Sequence, residues 1–345
     1  IGINFHWERK EDETFEGALR LLLNADGTVT AINEAGVEQY LKSVIASEMS
    51  ATAPLELLRA HAITSRSWLV AMLERQKLTG KTSGSARQGQ ETAEEIVRWY
   101  TREDHRFFDV CADDHCQRYH GLTKIISPKA IEAVRDTRGV FLVHGGEICD
   151  ARYAKSCGGR SELFSSAWEG IDVPYLASVS DAAVEHPPIT SEAAAEQWIC
   201  SSPEAYCNTT DGDILRQVLP TFDQETTDFY RWTVSYTQEE LSAILRKRSG
   251  LDFGVIQRLE PLQRGPSGRI VRLRIVGSQR TVVVGKELEI RRWLSPSHLY
   301  SSAFVVQPEG AAGAAPARFT LRGAGWGHGV GFCQIGAAVM ASRGI

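Results

Sequence analysis

The spacing of apolar and polar positions divides the chain into elements. Residues 13–32, "ETFEGALRLLLNADGTVTAI", read as two strands around the turn Asn24-Ala25-Asp26-Gly27. A helix is expected over about 36–49, and a second from Pro54, a favoured first-turn residue, to about 76. Residues 77–92 are polar and Gly/Ser-rich and read as a loop, 93–100 as a short helix, and 103–121 as an irregular stretch rich in Cys and His. "PKAIEAVRDTRG" predicts a helix stopped at Gly139, followed by a strand over 140–144 and a turn at His144-Gly145-Gly146. After a composition shift near "HPPITSEAAAEQW", residues 191–320 read as a smaller α/β section, with a helix at 238–247 and strands in "RIVRLRIVG" and "RTVVVG". An Ala/Gly/Pro tract (309–317) leads to a glycine-rich motif and a helix starting near Gln334, and Ile345 reads as a truncated helix end. The expected class is α+β, with mixed helices and antiparallel strands in two lobes: 1–190 plus 321–345, and 191–320.

Within the first helix, Leu41, Val44, Ile45 and Glu48 stand at i, i+3, i+4 and i+7, which is one face. Three apolar members mark that face as buried, and the fourth is a carboxylate. Burial disfavours the charged form of a carboxyl group, and a raised pKa suits a general acid that protonates a glycosidic oxygen. The competing reading is a surface helix end with Glu48 paired to Arg66 of the next helix.

From Gly323 to Gly331 every second residue is glycine, separated by Ala324, Trp326, His328 and Val330. Neither G-x-G-x-x-G nor a phosphate-binding G-x-x-x-x-G-K-[ST] fits any register. An extended run would place Trp326, His328 and Val330 on one side and bare backbone on the other, a surface that a carbohydrate strand can approach. The alternative is a tight loop leading into the last helix. Composition narrows the class. The chain has 345 residues, 43% hydrophobic and 23% charged, with net charge −5 and no long basic run, so nothing calls for nucleic acid or an anionic membrane. No apolar stretch reaches 18 residues, and the first residues do not read as a signal peptide.

"EQYLKSVIASEMSATAPLELLRAHAITSRSW" resembles the motif of the SpoIID/LytB family, close to EEYL-x-G-V-[VI]-x-x-E-M followed by P-x-E-A-L-[KR]-A-Q-A-[VIA]-x-x-R-[TS]-[YF]. "GWGHGVGFCQIGA" is similar to that family's G-H-G-V-G-[ML]-[SC]-Q-x-G-A, and "ARYAKSCGGRSELFSSAW" with "PYLASV" to its middle element. The resemblance implies a peptidoglycan lytic transglycosylase that cuts between N-acetylmuramic acid and N-acetylglucosamine, with members that prefer strands stripped of stem peptides. The glutamate of the E-M pair, here Glu48, would be catalytic. It would protonate the leaving oxygen and then take the proton of the muramic acid's C6 hydroxyl as that oxygen attacks the anomeric carbon, giving a 1,6-anhydro end. One carboxyl group serves both steps, whereas ordinary glycosidases use two. The glycine run would wall a glycan cleft between the lobes. Arg66, Ser156, Gly158, Gly159, Trp326, His328 and Gln334 are the implied substrate-binding set, with Trp326 against a sugar ring and His328, Gln334 or Arg66 orienting Glu48. Implied partners are glycan strands and an amidase that removes stem peptides; the implied location is exported, periplasmic or wall-associated. His61 stands where Gln is common, Ala154-Lys155 where a His-Ser pair is common, and Cys333 where serine is common.

"HRFFDVCADDHCQRYH" supplies donors for tetrahedral zinc: His105, Cys111, His115 and Cys116, with His120 in reserve. Relatives that hold zinc before a "CQ-x-Y" segment imply the same set in a structural role. A Cys111–Cys116 disulfide is the alternative, and Cys149–Cys157 and Cys200–Cys207 are short-loop disulfide candidates. Two other functions remain open at this stage. One is a zinc-dependent cell-wall hydrolase, although no H-E-x-x-H is present; a Cys333/His328 nucleophile pair is its weakest form. The other is a glycan-binding module without catalysis.

Overall fold

The computed structural model describes residues 10–79, 87–100, 105–113, 115–220, 223–224, 228–311 and 313–345. The N-terminal hairpin pairs β1 (Ala18–Leu23) with β2 (Val29–Glu34) around the expected turn, in register Leu23 to Val29. Helices α1 (Val37–Glu48) and α2 (Leu55–Thr79) follow. The next elements are β3 (Arg87–Glu91), β4 (Glu95–Tyr100), α3 (Pro128–Asp136), β5 (Val143–His144), β6 (Glu147–Ile148), β7 (Tyr153–Ala154) and α4 (Phe164–Ala167). Then come α5 (Glu192–Ser201), α6 (Gly212–Val218), β8 (Arg231–Thr237), α7 (Gln238–Ser249), β9 (Ile256–Arg264), β10 (Ile270–Gly277) and β11 (Thr281–Gly285). The chain ends with α8 (Glu287–Trp293), β12 (Phe304–Glu309), β13 (Arg318–Ala324), β14 (Phe332–Cys333) and α9 (Gln334–Ser342). The class is α+β, as expected.

Local chemistry explains the helix ends. Ser127 accepts from the Lys129 N–H and Pro128 opens α3, so the first turn has its cap and a proline that needs no donor. Thr237 and Glu240 form a reciprocal capping box on α7, and Gly250 ends that helix at φ +76°.

Two larger apolar cores form. The first joins Leu41, Val44 and Ile45 of α1 to Leu57 and Leu58 of α2, Ala133 and Val134 of α3, Leu215 and Val218 of α6, and Ile335 and Ala338 of α9. The second lies between the sheets and α7 and α8, with Trp232, Leu241, Leu245, Leu273, Ile275, Trp293 and Phe319. The Trp326 ring packs against both.

Two expectations need correction. Residues 95–100 form a strand, not a helix. "EIVRWY" is β-branched and aromatic, and β4 pairs in parallel with β11 (Ile96 to Val284) within the five-stranded sheet β3-β4-β11-β10-β9. The loop expected over 77–92 is shorter: α2 runs to Thr79 and β3 starts at Arg87, while 80–86 lie outside the described residues. A three-stranded sheet, β12-β13-β8, carries the chain into the glycine-rich motif, where β14 runs parallel to β7.

Candidate active site

Glu48 closes the apolar face of α1. Leu41, Val44 and Ile45 are fully buried, and Glu48 itself is 7% exposed. Its Oε1 accepts two hydrogen bonds, from the Arg118 main-chain N–H (3.0 Å) and the Tyr153 hydroxyl (3.0 Å). Among the described residues, Oε2 has no hydrogen-bond partner. The carboxylate is thus fixed by one oxygen and leaves the other for chemistry. Burial, and then the neighbouring Glu48 carboxylate, push the Tyr153 hydroxyl well above its ordinary pKa of 10, so it remains a donor.

A cationic pair backs the glutamate. Lys155 Nζ donates to the Glu48 carbonyl oxygen (2.8 Å) and lies 2.8 Å from Asp223 Oδ2. Arg118 reaches the same Asp223 oxygen at 3.4 Å. Burial opposes the charge on Asp223, but Lys155 and Arg118 outweigh it and hold its pKa below the usual value. Lys155 also acts on His61, which is fully buried. Desolvation first, and the Lys155 charge second, lower the His61 pKa to about 3. The His61 ring packs on Tyr153 (centroids 4.8 Å apart) and its Nε2 lies 3.0 Å from Gln334 Nε2. A neutral imidazole accepts there from the amide N–H.

The remaining implied binding residues fall in different places. Arg66 does not reach Glu48. Its side chain makes a two-point contact with Glu38 (2.9 and 2.7 Å) and donates to the Val134 and Val140 carbonyls, so the guanidinium ties α1, α2 and α3 together. Gln334 meets His61 rather than the glutamate. Half-buried His328 accepts from the Val330 N–H at Nδ1 (3.0 Å), hydrogen-bonds the Tyr153 main chain and packs on Trp168 (4.7 Å). Desolvation, followed by the charges of Arg152 and Arg269, places its pKa well below 6.5. Tyr153 links it to Glu48: His328 bonds the Tyr153 main chain, and the Tyr153 hydroxyl bonds Glu48. Trp326 stacks on Tyr300 (4.7 Å, 5° between planes) and packs on Phe229 (4.5 Å), so protein rings hold the side chain expected against a sugar. Ser156 is fully buried and exchanges main-chain hydrogen bonds with Trp326. A Cβ on Gly159 would stand 2.7 Å from Trp198, and one on Gly158 3.0 Å from the Gly325 nitrogen, so both glycines serve close packing within the protein.

The glycine run is likewise occupied by the protein itself. Gly329 lies at φ +72°, and a Cβ there would stand 2.3 Å from Arg269 Cζ. Arg269 is fully buried and donates to the Gly327 and Cys157 carbonyls (3.0 Å each). At Gly329 the bare backbone is what admits that guanidinium.

The Cys/His segment gathers its four donors. The ligating atoms of His105, Cys111, His115 and Cys116 all lie within 4.8 Å of one another. Cys116 Sγ stands 3.3 Å from His105 Nε2 and 3.4 Å from His115 Nδ1, and Cys111 Sγ 3.8 Å from His115 Nδ1. These separations suit a four-coordinate ion. His120 stands apart, bonded to Glu13. The candidate Cys149–Cys157 and Cys200–Cys207 pairs are not bonded; Cys157 instead faces Cys207 across 3.8 Å.

Tyr153, Lys155, Arg118 and Asp223 escaped the sequence reading. Tyr153 precedes the Ala154-Lys155 pair where the resemblance departs, and Arg118 lies inside "CQRY", but it acts through its main-chain N–H, which no residue type announces.

Comparison with known proteins places this arrangement. Residues 162–331 match a domain of unknown function, DUF8618. An uncharacterized protein of Brachyspira hyodysenteriae is 28% identical over 152 residues, 44% of this chain and 34% of the relative. The chain therefore spans about a third of the length of that curated relative. Residues 25–144, which contain Glu48, Arg118 and the four Cys/His donors, match the family described as Stage II sporulation protein, SpoIID. The glutamate motif and its buried carboxylate lie inside that match, so over residues 25–144 the chain is similar to the SpoIID family.

Proposed function

We propose that the protein is an exported cell-wall lytic enzyme, a lytic transglycosylase that cleaves the MurNAc–GlcNAc bond of peptidoglycan glycan strands to leave 1,6-anhydro-MurNAc ends. The observation that carries this reading is the Glu48 carboxyl group: seated on an apolar helix face, anchored at Oε1 and without a described partner at Oε2. Protonated, it delivers its proton to the leaving glycosidic oxygen. Ionised, it receives the proton of the C6 hydroxyl as that oxygen closes on the anomeric carbon. Asp223, the carboxylate joined to Glu48 through Lys155, is engaged by two cations, which suits a one-carboxylate mechanism better than a two-carboxylate hydrolysis. No described helix is long and apolar enough to cross a membrane, which agrees with action from solution on wall glycan.

In this reading His105, Cys111, His115 and Cys116 hold a structural zinc. Four protein ligands leave no open coordination position, which favours a structural ion over a hydrolytic one. Cys116 lies two residues before Arg118, so the ion would steady the loop whose N–H holds Glu48. Mass spectrometry of peptide-free glycan strands after digestion tests the function. Anhydro-muramyl ends support it, reducing ends mean hydrolysis, and unchanged strands mean a binding module. A chelator that abolishes turnover outright while the protein stays folded would favour the zinc hydrolase.

A further inference from the structure

A second donor cluster lies outside the Cys/His segment. Cys157, Asp181, Cys207 and Cys333 come from four separate stretches of the chain, yet their ligating atoms all lie within 4.8 Å of one another. Cys157 and Cys207 are buried, whereas Asp181 and Cys333 are partly exposed, so an ion has a way in. We infer that these four side chains form a second, closed metal site for a thiophilic divalent cation, zinc in its usual setting.

Geometry supports the fit. Two sulfurs each about 2.3 Å from a tetrahedral ion stand about 3.8 Å apart, and a sulfur and a carboxylate oxygen at about 2.3 and 2.0 Å stand about 3.5 Å apart. Cys157 Sγ and Cys207 Sγ are separated by 3.8 Å, and Cys333 Sγ and Asp181 Oδ2 by 3.5 Å. A Cys157–Cys207 disulfide would instead draw the sulfurs to about 2.05 Å and leave Cys333 and Asp181 without a role.

The surroundings are built around these donors. The Cys157 N–H points at Cys333 Sγ (3.2 Å), the Gly159 N–H at Cys157 Sγ (3.4 Å) and the Cys207 N–H at Asp181 Oδ2 (3.0 Å). Such outer hydrogen bonds orient ligands around an ion. Gly336, in the first turn of α9, makes room for the carboxylate: a Cβ there would stand 2.2 Å from Asp181 Oδ1. Glycine weakens a helix, so its presence needs a reason, and the approach of Asp181 is one. A bound ion would pin the start of α9 and the β7–β14 ladder, which carries Tyr153 to Glu48.

The test is zinc content and zinc X-ray absorption on the whole chain, purified under reducing conditions without added metal. The wild type should carry two zinc ions per chain with a mean first shell between two and three sulfurs. Cys111→Ser/Cys116→Ser should retain one ion, now with three sulfurs and one oxygen, and Cys333→Ser should lose one ion relative to wild type. A single zinc that survives Cys111→Ser/Cys116→Ser supports this site and removes the zinc reading of the first cluster. A single zinc that is lost in that variant overturns the inference, as does a Cys157–Cys207 disulfide found by peptide mapping of the reduced-purified protein. If the variants do not fold, the wild-type stoichiometry and sulfur number decide alone.

Discussion

Replacing Tyr153 with phenylalanine removes one oxygen and nothing else from the surroundings of Glu48. The hydroxyl donates to Oε1 at 3.0 Å, where Glu48 is 7% exposed, so water does not readily take its place. A hydrogen bond to a charged group is worth about 1.5–3 kcal/mol. In the proposed reaction Glu48 starts neutral, gives its proton to the leaving oxygen and develops charge in the transition state, so the bond would strengthen as the reaction proceeds. If the whole of it is realised there, kcat should fall by roughly 10- to 150-fold at about 1.4 kcal/mol per decade. KM should hold, because Tyr153 is not proposed to touch the sugar. The Arg118 N–H remains on Oε1, so turnover should not vanish. The assay is steady-state release of anhydro-muramyl products from peptide-free strands, with thermal unfolding measured alongside. Wild-type kcat in Tyr153→Phe, with an unchanged melting temperature, would refute the role given to this hydroxyl.

Three further outcomes follow from the geometry. With a folded pKa of about 3, His61 is neutral in the native state, whereas the unfolded chain takes up a proton below about 6.5. Its contribution is therefore whole above pH 6.5 and is lost as pH falls toward 3, at about 1.4 kcal/mol per pH unit. Denaturant titrations from pH 7 to pH 4 should show His61→Gln losing less stability than wild type over that range; parallel slopes would contradict this. Arg66→Ala leaves Glu38 without its buried partner and should cost about 3 kcal/mol in chemical denaturation. Its residual activity per folded molecule should stay near wild type, and a selective loss of kcat would instead place Arg66 at the reaction. Gly329→Ala forces a Cβ into the left-handed region against Arg269 and should cost at least about 2 kcal/mol, read from the same denaturation curves. A neutral result would mean that the run is not packed as described.

Local pattern made part of this legible. The 24–27 turn, the α1 face ending in Glu48 and the capped start of α3 each depend on residues within a few positions of one another. Strand β4 did not, because "EEIVRWY" opens with acids like a helix, its hairpin partner β3 is the polar "RQGQE", and its other partner β11 lies far along the chain. Glu48 announced itself as a carboxylate among apolar residues, yet its partners come from Arg118 and Tyr153, which only tertiary structure brings together. The glycine run shows the same limit. Its composition says that backbone is approached closely, and only the fold says that Arg269 does the approaching. The Cys157–Asp181–Cys207–Cys333 cluster has no spacing motif at all, since its members are scattered over 177 residues of the chain.

Glu48→Gln keeps the side chain's size and removes its ability to give and take a proton. General acid–base participation is worth about 10²–10⁴-fold. Anhydro-muramyl release by this variant should fall by at least that range, while its affinity for peptide-free glycan strands and its melting temperature stay close to wild type. Turnover within a few-fold of wild type would contradict the central claim that this carboxyl group carries the proton.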